Sequence, residues 1–285
     1  MLLLTKVGFS ANFHLPLYLI KKLISMALNQ RRTEILNLIQ EDGHAKVQKL
    51  SKIFKVSDVT IRQDLEELEK MGYVQREHGG AFLKDVGTFA KTGQLFNKSH
   101  MDEKIAIAKT AAGLVNEGET IILDSGSTTT ELARQLVGYK SLNVLTNALN
   151  IAMMLGENPG ISLLVSGGEF KAPTLSLTGE IAAKLFKGIH VNKLFLATAG
   201  ISTEDFLLTY PSLSDLSVKS AMIRAASKVY LLADSSKIGR PSFASLGRIS
   251  LIDTLITDDK IDTAAAARIE ELGVKIIIAS TEESR

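Results

Sequence analysis

Cysteine is absent from the 285-residue sequence, and its five histidines are scattered without the spacing of metal ligands. The lack of cysteine excludes disulfide bonds, thiolate zinc sites, iron–sulfur clusters and a cysteine nucleophile. It also agrees with a cytoplasmic location, which is the one we expect. Because transition metals usually need imidazole or thiolate ligands, we predict neither a metal site nor a cofactor.

The sequence also lacks a strong net charge and a long uninterrupted apolar run. The formal net charge is only +2, so local patterns must decide whether a nucleic acid is a partner. Residues 1–25 are apolar, but Asn12, His14 and Pro16 interrupt them, and a lysine pair follows the apolar stretch instead of preceding it. This order differs from that of a signal peptide, and the stretch is too short to cross a bilayer. We expect no membrane partner and interpret residues 1–25 as a non-native or disordered extension before a start at Met26.

The remaining chain has enough apolar residues for a sizeable core, and its pattern changes once along its length. Hydrophobic residues make up 45% of the sequence, and this length is comfortable for two domains. Residues 26–84 contain three short helical patterns and a hairpin. Residues 85–100 show no sustained period and are interpreted as a linker. Residues 101–285 alternate between helical patterns and short β-branched strands.

The pattern of residues 26–84 is that of a winged helix-turn-helix, with the motif at about residues 45–64. A tight turn, FKVS, separates the second helix from a third that begins at Ser57, whose hydroxyl can cap it. A hairpin with two glycines at its tip follows and would form the wing. In such domains the third helix enters the major groove of DNA, with its N-terminal residues at the base edges.

Candidate DNA contacts lie on the second helix, on the first turns of the third helix and on the wing. Arg62 can pair with guanine and Gln63 with adenine, while lysines can follow the phosphates. The full set is Lys52, Lys55, Ser57, Asp58, Thr60, Arg62, Gln63, Arg76 and His78.

A plainer interpretation of this half also fits the pattern. Lysines on a helix usually form a solvated face, and helix-turn-helix shapes also occur as simple packing units. Glu66, Glu67 and Glu69 would repel DNA if they faced it.

The pattern of residues 101–285 predicts a doubly wound, mainly parallel α/β sheet covered by helices on both faces. The fold class is therefore α/β, with the winged helix-turn-helix in front of the larger domain. The predicted helices are 102–117, 128–137, 148–156, 178–187, 214–227 and 262–271, and the predicted strands are 120–124, 142–146, 161–165, 193–198, 228–234, 251–257 and 274–279.

The stretch LDSGSTTTELA resembles a phosphate-binding loop between a strand and a helix. Amides at a helix start are unpaired donors at the positive end of the helix dipole, and Gly126 lets the backbone approach a ligand closely. Hydroxyl groups add further donors, so the candidate residues are Asp124, Ser125, Gly126, Ser127, Thr128 and Thr129. No Walker or GxGxxG pattern is present, which argues against a nucleotide. An ordinary capped helix start is the alternative interpretation.

Other predicted strand ends supply small or polar residues to the same edge, where ligands gather in open α/β sheets. Three lysines could neutralise a phosphate or bind a sugar, although each could equally lie on a solvated surface. These additional effector candidates are Thr146, Asn147, Gly167, Gly168, Lys193, Gly200, Lys219, Asp234 and Lys237.

The N-terminal motifs VS-x-x-TIR-x-DL and R-x-HGGA resemble the signature of the DeoR family of bacterial transcriptional regulators. This resemblance implies operator binding. Members of that family usually carry a second arginine where this chain has Gln63, which implies a changed operator preference. The family pattern begins shortly before its paired arginines, in agreement with a start at Met26.

The second half is similar to the DeoR sensor domain, from LDSGSTT through TNALNIA, SGGE and VKSAMIRAASKVYLLADSSKIG to IDTLITDD. That domain resembles ribose-5-phosphate isomerase, and the resemblance implies a phosphorylated sugar as effector. Two positions depart from the family pattern. Asn192 stands where an aspartate is common, and ATAGIS replaces a G-x-x-G-I-D motif, so one ligand-facing acid is missing.

A catalytic alternative is a sugar-phosphate isomerase with an accessory helical domain. Isomerisation needs a general base, normally a carboxylate within reach of the substrate. The isomerases carry a glutamate before the helix lysine, where this chain has Val218 before Lys219. A DNA-binding protein with an empty sheet domain is a further alternative.

We therefore predict a regulator without enzyme activity and without catalytic residues. It would repress a carbohydrate-utilisation operon, bind double-stranded operator DNA, respond to a phosphorylated sugar, and form a homo-oligomer, because two wings reading two half-sites bind more tightly than one.

Overall fold

The computed structural model describes residues 30–42, 44–71, 73–77, 79–83, 99–171 and 174–281. The predicted extension, the candidate DNA contact His78 and nearly all of the predicted linker lie outside these residues. Among the helices that the structure describes, none combines the length and apolarity that crossing a membrane requires.

The described residues of the N-terminal part contain three helices and a three-stranded sheet. The predicted hairpin is confirmed, because its two strands pair antiparallel from Val74 with Leu83 to Glu77 with Gly80. A further short strand that periodicity did not predict pairs His44 with Phe82. The elements are α1 (Gln30–Asp42), β1 (His44–Lys46), α2 (Val47–Phe54), α3 (Asp58–Lys70), β2 (Val74–Glu77) and β3 (Gly80–Leu83).

A buried ion-pair cluster joins the third helix to the first. Asp64 of α3 is 1% exposed, and its carboxylate accepts hydrogen bonds from Arg31 Nε at 2.6 Å and Arg32 Nε at 2.9 Å. The hydrogen bond to Asp64 raises the pKa of Arg31. Around this cluster Ile35, Ile39, Ile61, Leu65 and Leu68 form the centre of an apolar core, as the helical periodicity predicted. The cluster fixes how α3 lies on α1.

The larger part contains, within the described residues, six helices and twelve strands. Its helices are α4 (Met101–Ala112), α5 (Ser127–Leu136), α6 (Leu149–Leu155), α7 (Gly179–Leu185), α8 (Leu213–Ala225) and α9 (Thr263–Glu271). Its strands are β4 (Thr120–Leu123), β5 (Leu142–Thr146), β6 (Ile161–Val165), β7 (Glu169–Lys171), β8 (Ser176–Thr178), β9 (Val191–Ala197), β10 (Gly200–Ile201), β11 (Leu207–Tyr210), β12 (Ala226–Leu232), β13 (Ala244–Arg248), β14 (Thr254–Asp258) and β15 (Lys275–Ala279).

Seven of these strands form one parallel sheet in the order β15-β14-β12-β9-β4-β5-β6. The predicted parallel sheet is therefore confirmed. The order reverses at β4, because β5 and β6 follow it on one side while β9, β12, β14 and β15 lie on the other. In open α/β sheets ligands bind in the crevice at such a switch point, at the carboxyl ends of the strands. Here these ends are Leu123 of β4 and Ala197 of β9.

Alternating side chains of the central strands form two apolar cores, one on each face of the sheet. Ile122 and Leu194 belong to the core that contains residues of α7, α8 and α9, whereas Ile121 and Phe195 belong to the core that contains residues of α4, α5 and α6. Burial on both faces explains why the strands are almost continuously hydrophobic.

The elements that sequence periodicity missed are short. Strands β7 and β8 form a hairpin, and β10, β11 and β13 form a second small sheet, in stretches predicted as loops. Their two to five residues are too few to show a reliable period. Helix α4 ends at Ala112 before Gly113, earlier than predicted, and β14 begins at Thr254 because residues 249–251 form a 3₁₀ turn.

We expect Asp64→Ala to destabilise the N-terminal part by about 1–3 kcal/mol, because Arg31 and Arg32 would lose their shared carboxylate. Both arginines contact water, which limits the cost. Amide hydrogen exchange of α1 and α3 in mild urea would measure the change. Glu271→Ala, which breaks the exposed pair with Arg268, is the control and should cost at most about 1 kcal/mol in its own region. Equal losses for the two variants would contradict the role given to Asp64.

Candidate functional site

Asp124 joins the two strand ends at the switch point. It directly follows β4 and is completely buried. Its Oδ2 accepts the amide hydrogen of Ala197 at 3.1 Å, and its Oδ1 accepts that of Ser125 at 2.7 Å. Its own amide donates to the carbonyl of Phe195 at 3.1 Å. The carboxylate therefore ties β9 to the loop that begins at Ser125.

Lys219 of α8 is the cation that pairs with this carboxylate. The ammonium group contacts Asp124 Oδ1 and donates to Ser125 Oγ at 3.3 Å, and the side chain is almost completely buried. Tyr210 covers the pair, with its ring centre 5.7 Å from Lys219 Nζ and its hydroxyl donating to the carbonyl of Ala197 at 2.8 Å. The structure thus brings together Asp124 and Lys219, two predicted residues that lie 95 positions apart.

Burial governs the ionisation of these groups. It raises the pKa of Asp124, although Lys219 and the amides of Ala197 and Ser125 act in the opposite direction. Burial, and then the charge of Asp124, raise the pKa of Tyr210 well above its ordinary value of 10. Tyr210 is therefore a neutral hydrogen-bond donor at physiological pH.

The loop after Asp124 presents backbone donors at the surface of the site. Ser125, Gly126 and Ser127 are half-buried, and α5 begins at Ser127 without a side-chain cap. A Cβ atom on Gly126 would lie 2.7 Å from Ala197 Cβ, so only glycine allows this close approach to β9. Of the predicted hydroxyl donors, Thr129 donates back to the carbonyl of Gly126 at 3.0 Å. The first-turn amides are the groups that an anion can reach here.

Asn147, from the end of β5, holds the other side of this loop. Its Oδ1 accepts the amide hydrogen of Ser125 at 3.0 Å, and its Nδ2 donates to Ser125 Oγ at 3.4 Å and to the carbonyl of Leu177 at 3.2 Å. Thr146 beside it donates to the carbonyl of Leu123 at 2.7 Å. Both side chains are buried, so they position the loop by internal hydrogen bonds.

The remaining predicted effector residues lie in three different places. Four of them follow the carboxyl ends of strands, as Asp124 does: Gly167 and Gly168 follow β6, and Asp234 and Lys237 follow β12. Gly200 lies in β10, where a Cβ atom would approach the carbonyl oxygen of Arg240 to 1.8 Å, so its role is close backbone packing. Thr128, in the first turn of α5, is buried.

Lys193 is a correction to the predicted set. It lies near the amino end of β9, opposite Ile121, and its Nζ binds Glu119 at 2.5 Å before β4 begins. The prediction included Lys193 as a cation that could neutralise a phosphate, although it is the first residue of the predicted strand 193–198. β9 begins at Val191, two residues before Lys193. This lysine therefore lies near the amino ends of the strands, whereas Asp124 lies at their carboxyl ends.

Three residues near the site were not predicted from the sequence as site residues. Lys171 of the β7–β8 hairpin binds the buried Asp215 at 3.0 Å, and Asp215 lies one turn before Lys219 on α8. Tyr210, described above, is the third of these residues. Lys171 and Tyr210 lie in short strands that the sequence pattern did not predict, whereas Asp215 lies on a predicted helix, where its spacing of four residues from Lys219 was the one available signal.

The candidate DNA contacts at the start of α3 are exposed or half-buried. Ser57 caps the helix, because its Oγ accepts the amide hydrogen of Thr60 at 3.2 Å. Arg62 and Gln63 are exposed one turn later, and Asp58 is half-buried. Lys52 and Lys55 are exposed on the helix and turn before it.

The acidic second half of α3 is paired with cations of the same domain. Glu66 and Glu67 bind Lys70 at 3.1 and 3.0 Å, and Glu69 accepts the amide hydrogen of Arg76 at 2.8 Å. Arg76 also lies 3.9 Å from Glu66. The feature that argued against DNA binding is thus largely neutralised, and Arg76 is held beside α3.

Comparison with known families finds two matches along the chain. Residues 31–85 match the DeoR-like helix-turn-helix domain, and residues 99–259 match the DeoR C terminal sensor domain. The chain belongs to the DeoR family. It is a helix-turn-helix transcriptional regulator with a sensor domain, as its two sequence motifs implied.

Several relatives resemble this DeoR-family chain along nearly its whole length. The HTH-type transcriptional regulator GolR of Listeria innocua is 35% identical over 88% of this chain and 98% of its own. The lactose phosphotransferase system repressor of Streptococcus mutans is 36% identical over 82% of this chain and 93% of its own. A solved ribose 5-phosphate isomerase from Methanocaldococcus jannaschii is 19% identical, covers 49% of this chain and 55% of its own, and has a TM-score of 0.37.

GolR and the lactose phosphotransferase system repressor are regulators, and the prediction that this chain is not an enzyme is confirmed by its membership of their family. Val218, the residue before Lys219, is buried in the apolar core on the α8 side of the sheet.

We expect Lys219→Met to lower the unfolding free energy of this DeoR-family regulator by about 3–5 kcal/mol near pH 7, because Asp124 would stay buried without its cation. The pKa of Asp124 would then rise further above its unfolded value. The folded state would therefore bind the proton more tightly than the unfolded state, and lowering the pH through the folded-state pKa would restore part of the lost stability. Urea unfolding at pH 7 and pH 5 would measure both effects.

The matched control is the double variant Asp124→Asn with Lys219→Met, which removes both charges. It should be more stable than Lys219→Met at pH 7 and should not gain stability at pH 5 relative to wild type. If the single and double variants lose the same free energy at both pH values, the pair is not the main source of the effect.

Proposed function

We propose that this DeoR-family regulator represses a carbohydrate-utilisation operon and is controlled by a phosphorylated sugar that binds at the β4–α5 loop. The observation that carries this proposal is the half-buried loop of Ser125, Gly126 and Ser127, which lies at the switch point next to a buried lysine. The relative from Streptococcus mutans is named a repressor of the lactose phosphotransferase system, which supports a carbohydrate role.

The phosphate is the part of the effector that the loop suits best. The uncapped first turn of α5 supplies amide donors and the positive end of a helix dipole, and Ser125 and Ser127 add hydroxyl groups. Lys219 is already paired with Asp124, so its contribution is to hold Ser125 Oγ and to balance the buried carboxylate beneath the loop. Asp124 is then a positioning residue that the phosphate does not touch.

The sugar would extend from the loop along the edge of the sheet. Gly167 and Gly168 follow β6 there, and Asp234 and Lys237 follow β12. Asp234 Oδ2 is a buried oxygen without a hydrogen-bond partner among the described residues, so it is able to accept a sugar hydroxyl. These residues are the proposed sources of sugar selectivity.

Control of DNA binding requires that the effector bind one arrangement of the protein better than another. The β7–β8 hairpin is a suitable element for this, because Lys171 fastens it to α8 one turn from Lys219. An effector that displaces this contact, or strengthens it, would change the position of the hairpin relative to α8.

The proposed DNA contacts are those at the exposed start of α3 and on α2. Arg62 and Gln63 would read base edges in the major groove, while Ser57, Thr60, Lys52 and Lys55 would contact phosphates. Arg76, held near Glu66, would contribute from the wing.

For the effector site, we expect Ser127→Glu to weaken sugar-phosphate binding by about 10²-fold, because a carboxylate would occupy the start of α5 and repel the phosphate. An acidic residue in the first turn is favourable to a helix, so the variant should fold. Calorimetry with a panel of sugar phosphates, the corresponding free sugars and inorganic phosphate would measure binding.

The control for this variant is Thr263→Glu, which makes the same change at the exposed first position of α9. It should bind the same ligands as the wild-type protein does. Binding of free sugars as tightly as their phosphates, or unchanged binding by Ser127→Glu, would place the effector elsewhere.

For DNA recognition, we expect Arg62→Ala to relax sequence preference at one base position by about 1–3 kcal/mol, whereas Lys52→Ala should weaken all sequences about equally. Selection from randomised duplexes, followed by titration of the selected sequence and of random DNA, would separate the two effects. Lys187→Ala, an exposed lysine of the sensor domain, should change neither quantity. Equal losses on specific and random DNA for Arg62→Ala would contradict base reading by this residue.

A further inference from the structure

The β6 strand is an exposed edge of the seven-stranded sheet. It pairs with β5 on one side, and the described residues place no strand on its other side. Its sequence, ISLLV, contains no charged residue. Natural edge strands usually carry charges or other devices that prevent pairing with another strand. The five-residue strand β6, which is uncharged and open on one side, is therefore suited to pairing with a strand of another chain.

Large apolar side chains are exposed along this edge and in the elements that follow it. Leu164 is 48% exposed and Val165 38%, while Phe170 of β7 and Ile181 of α7 are 54% and 64% exposed. These elements are adjacent, because a Cβ atom on Gly167 would lie 3.6 Å from Ile181 Cγ2. Because successive strand residues point to opposite faces of a sheet, Leu164 and Val165 leave apolar surface exposed on both faces of this edge. Exposed apolar surface that is grouped in this way is typical of interaction sites.

The opposite edge of the sheet differs in charge. β15 begins with the exposed Lys275, and it carries one strongly exposed apolar residue, Ile278. A lysine on an edge strand opposes edge-to-edge pairing. The β6 edge can therefore be tested by mutation, with the β15 edge of the same sheet as the matched control.

We propose that two copies of this chain associate through the β6 edge, with their β6 strands antiparallel about a two-fold axis. A two-fold interface must be complementary to itself, and an uncharged apolar strand meets this condition. Antiparallel pairing places the start of one strand beside the end of the other. The seven-stranded sheets of the two copies would then be continuous.

The charges at the two ends of β6 support a second copy as the occupant. Lys140, whose carbonyl oxygen lies beside Gly160 at the start of the strand, is exposed. Glu169, four residues beyond Val165 at the other end, is also exposed. In the two-fold arrangement each lysine comes near the glutamate of the other copy, so the interface gains two opposite-charge contacts.

The need for a second copy rests on the proposed function. A helix-turn-helix protein usually reads two half-sites as a symmetric pair, and the described residues of this chain contain one such motif. The contact also lies next to Gly167 and Gly168 at the candidate effector site. Association and effector binding would therefore share the β6–β7 loop.

The experiment measures the mass of the full chain by sedimentation equilibrium, without DNA and without sugar phosphate, so its outcome is independent of the proposed function. Leu164→Lys places like charges at the two-fold contact and should halve the mass. Ile278→Lys makes the same change on the opposite edge and should leave the mass unchanged. A wild-type monomer, an unchanged mass for Leu164→Lys, or a halved mass for Ile278→Lys would overturn the proposal.

A charge exchange tests the orientation of the two strands. Lys140→Glu and Glu169→Lys should each weaken association about five- to tenfold, because each variant places like charges together. The double variant should associate as tightly as the wild type. Additive weakening in the double variant would overturn the antiparallel arrangement.

Spin labels give an independent measurement, because the chain has no cysteine of its own. A label at Ser162→Cys, on the exposed edge, should show a separation between copies below about 20 Å, since five-residue strands are short. A label at Ile278→Cys should show a much longer separation. The reverse result would place the contact at β15.

Discussion

The buried ion pair of Asp124 and Lys219 is the interaction on which the sensor domain's site depends. Asp124 binds the amides on both sides of the switch point, and Lys219 brings α8 to the same place. A charge this deeply buried is tolerated only with a partner and with its other hydrogen bonds satisfied. The pair therefore fixes the ends of β4 and β9, the Ser125 loop and α8 relative to one another.

This arrangement leaves the loop after Asp124 with groups that can bind an anion, but the carboxylate beside them is not free. The carboxylate at the site is occupied by three internal partners, and the position before Lys219 holds a core valine. A carboxylate that is bonded to a lysine and two amides is poorly placed to remove a proton from a sugar carbon. What stays available is a set of amide and hydroxyl donors, which can bind an anion but not transform it.

Much of the fold could be predicted from the sequence, because strands buried on both faces and amphipathic helices have strong periodic patterns. The end of β4 at Leu123 and the start of α5 at Ser127 followed from these patterns within one residue. The ion pair itself was predicted only as two separate candidates, since no local pattern joins residues 95 positions apart. The misplacement of Lys193 has a different cause, because this lysine begins the predicted strand 193–198, and the first residue of a parallel strand lies away from the carboxyl ends where ligands bind.

In both halves of the chain, a buried carboxylate holds in place an element that carries exposed or half-buried residues. In the helix-turn-helix part, Asp64 lies on the inner face of α3 and binds Arg31 and Arg32. These ion pairs and the apolar core together hold the inner face of the helix. Its outer face needs no structural contacts and keeps Arg62 and Gln63 exposed. In the sensor part, the buried Asp124 is likewise held by Lys219, and the loop that follows Asp124 stays half-buried. In each part, then, a buried aspartate has a structural role, and the more exposed residues beside it are the ones available to contact DNA or an effector.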